Sequence, residues 1–321
     1  MGRRKRCTVT VEENTTEKRT KLNSDEKTKP PLENPFETLT NATDINVRTE
    51  ADSMTCHVTA MAMLAHGTLV VVDNENNAIK LIRVSEKRVL NTFNTETSPW
   101  DLAVLSSEEI AVTLPRENSV LILKADPKHL IYHETLKMDA HCEKDEFCVG
   151  VAKYQDKLLV SFNSFTRKAN IKLISRETGE VLEVVPFKCV QCLPHVTVDE
   201  EGSKVYVSDA TYHKIHLMDM VGKGKQKTLH IVKSTGDNIA KRPTCVLPLS
   251  DRNLLVCSNG SNQMLLVSDS LDQTDVVKDE PELFWPRVAC YDDYGHRIFV
   301  SHGLNQFCQF RDSIKCYSKE I

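Results

Sequence analysis

Six apolar segments recur along this chain at spacings of 41 to 49 residues, and this repeat constrains the fold more than any other feature. The segments occupy residues 69–73, 110–114, 158–162, 205–209, 254–258 and 298–301. Each is followed by a polar loop and a second apolar run, at residues 79–82, 120–123, 171–174, 215–218, 264–267 and 307–310. A repeat of this length with several short β-rich runs is typical of a β-propeller. We therefore predict an all-β, six-bladed β-propeller over residues 43–321.

Another apolar run precedes each repeated segment and predicts the innermost strand of each blade. These runs lie at residues 58–64, 100–105, 149–154, 195–198, 244–249 and 287–291. Four of them follow or begin near a proline (Pro99, Pro194, Pro243 and Pro286), which suits the first residue of a strand because no ladder N–H is needed there. Closing the ring removes exposed sheet edges, so we predict that residues 44–49 pair with the last blade near residues 314–317.

The first 42 residues differ in composition from the repeats. Lys, Glu, Thr, Asn and Pro dominate, and large apolar residues are scarce before Leu32 and Phe36. Such a segment cannot bury enough apolar surface to offset the entropy lost on ordering. We predict a disordered basic and polar tail over residues 1–42. The basic run from Arg3 to Arg6 suits nuclear import or polyanion binding, so we expect a cytoplasmic protein, with the nucleus as the alternative.

Composition argues against several other classes of protein. No apolar stretch approaches the roughly 18 residues that a transmembrane helix needs, and the N-terminus lacks the apolar region of a secretory signal. The 11 cysteines are an odd number, and without a signal peptide they predict reduced thiols. A net charge of −4 at pH 7 argues against nucleic acid as the principal partner.

Two connectors between blades carry cysteines at spacings that zinc or a redox pair would suit. Cys142 and Cys148 lie before the third blade, and Cys189 and Cys192 lie before the fourth. Consecutive connectors emerge on one face of a propeller, so these thiols could converge. No second Cys-x-x-Cys pair accompanies them, and two of them adjoin apolar strands. We therefore expect inert packing, with no metal and no cofactor.

The fourth repeat carries a motif that resembles a known family. Residues 194–218 read PHVTVDEEGSKVYVSDATYHKIHLM, with a leading proline, an Asp-x-x-Gly turn, a strand ending in Ser-Asp and a basic residue before Ile. This resembles the NHL repeat, and residues 67–79 (GTLVVVDNENNAI) match its second half. The six units together resemble the C-terminal propeller of tripartite-motif (TRIM-NHL) proteins, particularly divergent invertebrate members. The chain departs from that pattern in having only 11 glycines, Leu114 in an Asp position, and an insertion at residues 163–170.

The resemblance implies recognition rather than catalysis. TRIM-NHL proteins combine the propeller with RING, B-box and coiled-coil segments. We expect none of these here, because Cys7 is the only cysteine before residue 56 and a RING needs clustered zinc ligands. We expect a monomeric, non-enzymatic interaction scaffold that binds a protein partner, linked to the ubiquitin pathway by resemblance alone. RNA binding, known for some members of the family, is the alternative.

A calcium-dependent propeller hydrolase is a third hypothesis. Such an enzyme needs several oxygen ligands converging on the central channel. The residues expected near the channel are His57, Thr59, Asp101, Cys148, Gly150, His195, Thr244 and Arg287. Asp101 is the one carboxylate among them, so we expect no hydrolase activity.

Recognition residues are expected on loops, because loops on a rigid scaffold usually carry function. In a propeller, the connectors between blades and the loops between second and third strands share one face. Aromatic and arginine side chains dominate binding hot spots, and candidates on this face are Asn76, Trp100, Asp101, Arg116, Arg167, His195, Tyr212, His213, Trp285 and Arg287. If RNA is the ligand, the contacts would come from Arg116, Arg167, Lys168, Lys241, Arg242 and Arg287.

Overall fold

A computed structural model describes residues 32–138, 142, 145–166, 168–186, 195–223, 226–237, 239–279, 283–303 and 311–319. These residues form six antiparallel sheets of four strands each. The innermost strands of successive sheets contact one another around a closed ring. The predicted six-bladed β-propeller is therefore confirmed.

Strand β1 (Leu39–Asn46) precedes the first complete blade. The first three blades are each built from consecutive strands. The first blade comprises β2 (Val58–Leu64), β3 (Thr68–Asp73), β4 (Ala78–Arg83) and β5 (Arg88–Asn94). The second comprises β6 (Leu102–Ser106), β7 (Glu109–Leu114), β8 (Ser119–Ala125) and β9 (Leu130–Lys137). The third comprises β10 (Glu146–Tyr154), β11 (Lys157–Ser164), β12 (Asn170–Ser175) and β13 (Val181–Pro186).

The fourth and fifth blades follow the same plan, and the sixth takes its outermost strand from the start of the chain. The fourth blade comprises β14 (His195–Val198), β15 (Val205–Asp209), β16 (Lys214–Lys223) and β17 (Gln226–Ser234). The fifth comprises β18 (Pro243–Pro248), β19 (Asn253–Ser258), β20 (Gln263–Ser268) and β21 (Thr274–Lys278). The sixth comprises β22 (Pro286–Asp292), β23 (Arg297–His302), β24 (Ser313–Lys319) and β1. Short 3-10 turns lie at Ala65–Gly67, Val84–Glu86, Pro115–Glu117 and Asn259–Ser261. No helix in the described ranges is long and apolar enough to cross a membrane.

The ring closes through β1, as the sequence predicts. This strand pairs antiparallel with β24, and Ile45 lies opposite Ile314. Both side chains are buried, as is Val47 just after the strand. The N-terminal strand therefore completes the blade formed by the C-terminal residues, and β24 is paired on both of its edges.

The ordered part of the chain begins earlier than the predicted boundary at residue 43. Strand β1 starts at Leu39, and both Leu39 and Phe36 are only 1% exposed. The Phe36 ring meets the edge of the Tyr291 ring, with 5.4 Å between centroids. These apolar side chains bury enough surface to order residues that their polar neighbours would leave in solvent. Residues 1–31 lie outside the described ranges, and their predicted disorder stays a prediction.

The third strand of the last blade does not coincide with the second apolar run of the sixth repeat. That run occupies residues 307–310, whereas the third strand is β24, which begins six residues further along the chain. Residues 307–310 themselves lie outside the described ranges. The pairing of Phe299 with Cys316 and of Ile298 with Tyr317 explains the choice, because it buries all four side chains.

Candidate functional site

The register of the strands defines two faces of the ring. Val58 at the start of β2 lies opposite Asp73 at the end of β3, and the same relation joins His195 to Ser208. The connectors between blades and the loops between second and third strands therefore share one face, here called the connector face, as predicted. The opposite face, here called the hairpin face, carries the turns between first and second strands and between third and fourth strands.

Three side chains from neighbouring blades meet where the channel opens on the connector face. The guanidinium carbon of Arg287 lies 4.8 Å from the centroid of the Trp100 ring. The His57 ring meets Trp100 edge-on, with 6.3 Å between centroids. Arg287 belongs to β22, whereas His57 and Trp100 precede β2 and β6, so ring closure creates this stack. Attraction between the cation and the aromatic face stabilises it.

Asp101 is buried beneath this stack and joins the second blade to the third. Its Oδ2 accepts a hydrogen bond from the Val151 amide at 3.0 Å, and its own amide donates to Thr113 Oγ1 at 3.0 Å. Thr113 in turn donates to the Val149 carbonyl at 2.6 Å. Burial raises the pKa of Asp101 to about 7, although the Val151 and Leu102 amides and the charge of Arg287 oppose the rise. Asp101 is therefore a structural acid rather than an exposed recognition residue.

Two histidines near the same opening, the buried His57 and the half-buried His195, are neutral at pH 7. Burial lowers the pKa of His57 to about 3, with a further contribution from the charge of Arg287. Burial alone lowers the pKa of His195 to about 4. His195 Nδ1 accepts a hydrogen bond from the Val246 amide at 3.4 Å, which links the fourth blade to the fifth. Arg287 is therefore the charged member of the group that includes these histidines and Trp100.

The channel itself is narrow and largely apolar. Its cavity has a volume of about 210 Å³. Innermost-strand residues line it, among them Ala60, Leu102, Val151, Val196 and Ala289. Asp101 is the one carboxylate among the described residues of this lining. Calcium takes about six to eight oxygen ligands, so the described lining does not suit the metal site that a propeller hydrolase would use.

The candidate residues further from the channel divide into structural and exposed ones. Asn76 holds two loops together, since its Nδ2 donates to Asp73 Oδ2 at 2.9 Å and its Oδ1 accepts from the Met54 amide at 2.9 Å. His213 Nδ1 accepts a hydrogen bond from the Arg242 amide at 3.0 Å. Arg116 is exposed on the loop between β7 and β8, and Tyr212 is 50% exposed on the loop between β15 and β16.

Trp285 is fixed by its backbone more than by its side chain. Its φ of +51° lies in the left-handed region, its amide donates to Asn262 Oδ1 at 2.9 Å, and its carbonyl accepts from the Gly303 amide at 2.7 Å. The indole is half-buried, whereas the preceding Phe284 is 46% exposed. Phe284 is therefore the better placed of the two aromatics to contact a partner.

Phe165 is an exposed aromatic residue that the sequence-based candidates omit. Its side chain is 86% exposed, and its ring centroid lies 5.1 Å from that of Phe147. It lies in the insertion at residues 163–170, on the connector face beside the third blade. A large apolar residue inside an otherwise polar insertion was the signal that could have identified it.

The cysteine hypothesis can be checked for two of its four residues. Cys148 is fully buried, its Sγ donates to the Ser119 carbonyl at 3.4 Å, and burial raises its pKa to about 12. Cys142 is half-buried, and Lys172 Nζ lies 3.8 Å from its Sγ. Cys148 is a free thiol. Cys189 and Cys192 lie outside the described ranges, as does Arg167, so the expectation of inert packing stays a prediction for these two cysteines.

A buried cluster that resembles a metal site is occupied by a lysine. Asp52, Cys56 and Asp73 place one ligand atom each within 4.8 Å of one another. The ammonium of Lys80, which is 0% exposed, lies among them, 2.7 Å from each of the two carboxylates. Burial would raise the pKa of Asp73, but the hydrogen bond from Lys80 lowers it below its ordinary value. The lysine thus supplies the positive charge that a metal ion would otherwise bring.

The position of Lys80 repeats around the ring. In every blade the equivalent third-strand residue lies opposite a second-strand valine: Lys80, Leu121, Lys172, His216, Leu265 and Lys315 face Val71, Val112, Val160, Val207, Val256 and Val300. Lys172 pairs with Glu146 at 2.6 Å, and His216 Nε2 lies 3.6 Å from Asp209 Oδ2. Lysine or histidine occupies this position in four blades and leucine occupies it in two, so the position accepts either a basic or an apolar side chain.

Comparison with known proteins shows similarity of structure but not of sequence. No protein-family model matches the sequence, and no curated protein matches it either. A luciferin-regenerating enzyme is similar in structure, with a TM-score of 0.63, 11% identity, and coverage of 87% of this chain and 95% of that one. A streptogramin B lyase matches with a TM-score of 0.57 and 12% identity, over 87% of this chain and 98% of the lyase.

A further structural match is not described as an enzyme. The β-propeller domain of Cps50 (Swd1) from Myceliophteria thermophila has a TM-score of 0.59 and 9% identity, over 82% of this chain and 84% of that domain. Proteins described as enzymes and a domain described only by its fold thus share this architecture. At identities this low, the similarity shows the propeller fold alone.

Proposed function

We propose that this chain is a non-enzymatic protein-interaction module of the TRIM-NHL type, which binds a protein partner through its connector face. The observation that supports this proposal most is the exposure of large aromatic side chains on loops of that face. Phe165 is 86% exposed, Tyr212 is 50% exposed and Phe284 is 46% exposed. They lie on three different loops, and aromatic side chains of this kind are enriched at binding hot spots.

The centre of the same face is preorganised. The stack of Arg287, Trp100 and His57 is held by the innermost strands, and Thr244 Oγ1 donates to the Arg287 carbonyl at 2.7 Å. A partner that covers this centre meets a rigid planar cation and an indole at little cost in conformational entropy. The exposed aromatics around it would then extend the contact area.

The first test compares proteins captured by two variants of the full chain. Phe165→Ala with Tyr212→Ala removes two exposed anchors from the connector face. Leu182→Ala with Val184→Ala is the matched control, because these side chains are 50% and 52% exposed on β13, at the outer edge of a blade. We expect the connector-face variant to lose at least about tenfold in binding of the main captured protein, with the control unchanged. Equal losses in both variants would refute the proposal.

RNA binding is the second candidate function, and one surface favours it. A cavity of about 430 Å³ on the connector face is lined by Tyr212, His213, Lys241 and Arg242. An aromatic ring beside exposed cations suits the stacking and phosphate contacts of single-stranded RNA. Of the other cations named for RNA, Arg116 and Lys168 lie on other blades, Arg287 stacks on Trp100 at the channel mouth, and Arg167 lies outside the described residues. Asp237 also lines the cavity and pairs with Lys214, so the positive surface is small and the protein-partner proposal is preferred.

A salt titration separates the two candidates. Fluorescent single-stranded RNA is titrated with the full chain and with a double variant, Lys241→Ala with Arg242→Asn. Asn is chosen at position 242 because it tolerates the φ of +49° found there. Lys128→Ala with Arg252→Asn is the matched control on the hairpin face, since Arg252 also has a positive φ. If RNA binds here, a plot of the logarithm of the binding constant against the logarithm of the salt concentration should be steep. The magnitude of its slope should fall by about 1 to 2 in the first variant only. Weak binding that both variants affect equally excludes a specific RNA site.

A further inference from the structure

A groove crosses the hairpin face between the first hairpins of the sixth, first and second blades. Its volume is about 880 Å³. Met63, Leu64 and Ala65 of the first blade and Val104 of the second supply apolar lining. The turn of the sixth blade, residues 291–297, also lines it. A groove of this size can accept several side chains of a peptide.

A second cavity continues the groove towards the outer part of the second blade. It has a volume of about 340 Å³ and shares Leu64, Ala65 and Ser107 with the first. Ile131, which is 52% exposed, lines its far end, and the neighbouring Tyr132 is 57% exposed. The two cavities therefore form one continuous groove with exposed apolar side chains at its outer end.

The aromatic residues of the groove come from the sixth blade. Tyr294 lies at the tip of the hairpin and is fully exposed. Tyr291 is half-buried, and its hydroxyl lies 3.2 Å from His296 Nδ1. Tyr294 packs against none of the described residues, so packing does not explain a large aromatic residue at this tip, and the faces of its ring are suited to a cation or an apolar side chain.

Carboxylates surround the groove. Asp292 is buried and pairs with Arg297, but Asp293 and Glu108 are exposed and have no ion pair within the described part of the chain. Burial raises the pKa of Tyr291, and the carboxylates of Asp293, Asp292 and Asp251 raise it further. Lys124 also lines the second cavity, so the combined lining carries four carboxylates (Glu108, Asp126, Asp292 and Asp293) against two cations (Lys124 and Arg297), and the groove keeps a net negative charge.

The rest of the hairpin face adds to this potential. The first hairpins of the third, fourth and fifth blades carry acidic residues, namely Asp156, Asp199, Glu200, Glu201 and Asp251. Lys157, Lys204 and Arg252 on these turns pair with Asp156, Asp269 and Glu201, so Asp199, Glu200 and Asp251 are the carboxylates of these turns without an ion pair among the described residues. An acidic face of this kind attracts cationic partners and repels polyanions.

We propose that this groove is a second binding site, for a peptide segment of a protein partner that carries arginines beside a large apolar side chain. The apolar side chain would lie on Leu64, Ala65 and Val104, and the arginines would meet Asp293 and Glu108. Arginine fits better than lysine because its planar guanidinium also stacks on tyrosine. This site lies on the opposite face from the connector-face interface and rests on different residues, so either can fail without the other.

Fluorescence anisotropy with a defined probe tests the chemistry of the site. The probe is a fluorescein-labelled, Gly/Ser-rich peptide with two arginines on each side of a central leucine, titrated with the full chain. We expect replacement of the leucine by glycine to weaken binding about tenfold, and replacement of the arginines by glutamates to abolish it. Equal binding of the glutamate peptide, or no binding of the original probe up to about 1 mM, would overturn the proposal.

Charge reversal tests the location of the site. Glu108→Lys with Asp293→Lys changes two exposed groove residues, and Asp156→Lys with Glu177→Lys makes the same change in net charge on the third blade. We expect the groove variant to weaken probe binding at least about tenfold and the control less than about twofold at physiological salt, where distant charges are screened. Circular dichroism should show both variants folded. Equal losses would mean general charge attraction rather than a groove, and would overturn the proposal.

Discussion

Lys80 shows how one buried charge can hold several chain segments in place. Its ammonium contacts Asp73 at the end of β3, Asp52 in the segment that leads to β2, and the Val47 carbonyl just after β1. These segments meet where the ring closes. Removing the cation leaves two buried carboxylates without their partner, which costs more than the ion pair itself contributes.

We therefore predict that Lys80→Met lowers the free energy of unfolding by about 3–5 kcal/mol. Denaturant titration of the full chain measures it. Lys124→Met is the matched control, because Lys124 is an exposed lysine on β8, the third strand of the next blade, and its replacement should cost less than about 0.5 kcal/mol. Similar values for the two variants would show that the buried cluster is not needed for stability.

Asp101 predicts a pH dependence of stability. Its pKa in the folded protein, about 7, lies above the value near 3.9 of an unfolded chain. Protonation therefore favours the folded state, and this contribution is fully present below the unfolded pKa and lost as the pH rises through 7. Burial of neutral His57 and His195 acts in the opposite direction, since their lowered pKa values make stability fall as the pH drops below about 6.5.

Asp101→Asn isolates the contribution of Asp101, because Asn does not titrate and both histidines remain. The quantity compared is the free energy of unfolding of the wild type minus that of the variant. We expect this difference to decrease by about 2–3 kcal/mol from pH 5 to pH 8. Denaturant titrations across this range measure it. A difference that stays constant would show that Asp101 is ionised throughout.

Strand β1 is the element on which ring closure depends. It contributes the outermost strand of the sixth blade, and Ile45, Val47 and Leu39 are each at most 1% exposed. Its partner β24 would otherwise present an unpaired edge. The strand is therefore a structural part of the propeller, although it lies before the first repeat in the sequence.

We predict that Ile45→Ala lowers the free energy of unfolding by about 2–4 kcal/mol, because it creates a cavity where the ring closes. Ile231→Ala in β17 is the control with the same chemical change, since Ile231 is 42% exposed. Thermal denaturation of both variants measures the difference. A loss at Ile45 no greater than that at Ile231 would show that pairing with β1 does not secure the ring.

The repeat predicted the elements well because strand periodicity is local. Innermost strands at Val58–Leu64 and His195–Val198 coincide with the predicted runs. Strand boundaries and partners were harder to predict from the sequence. Strand β1 begins at Leu39 because Phe36 and Leu39 pack into the core, and the local composition does not indicate this contact. The last blade likewise selects β24 through cross-strand pairs that no single segment specifies.

The candidate site was less predictable, because burial near the channel depends on how neighbouring blades close. The sequence placed Trp100 and Arg287 on one face, and the structure stacks them. It could not show that Asp101 and His195 accept hydrogen bonds from amides of the next blade, or that Asp101 is buried there. Phe165 was missed because loop aromatics have no periodic pattern.

At the scale of the whole molecule, the two faces present different chemistry to partners. The connector face offers exposed aromatics around a stacked arginine, with cations such as Lys241 and Arg242 nearby. The hairpin face offers carboxylates around an apolar groove. A rigid ring that separates two such surfaces can hold two partners at once, which is consistent with a scaffold.

Hydrogen exchange of the propeller, alone and saturated with its main captured protein, tests the central claim most directly. We predict that partner binding slows amide exchange in residues 95–101, 210–213 and 283–287 of the connector face. Exchange should be unchanged in residues 199–203 and 250–252 of the hairpin face. Slowed exchange confined to the hairpin face, with the connector face unaffected, would contradict the account.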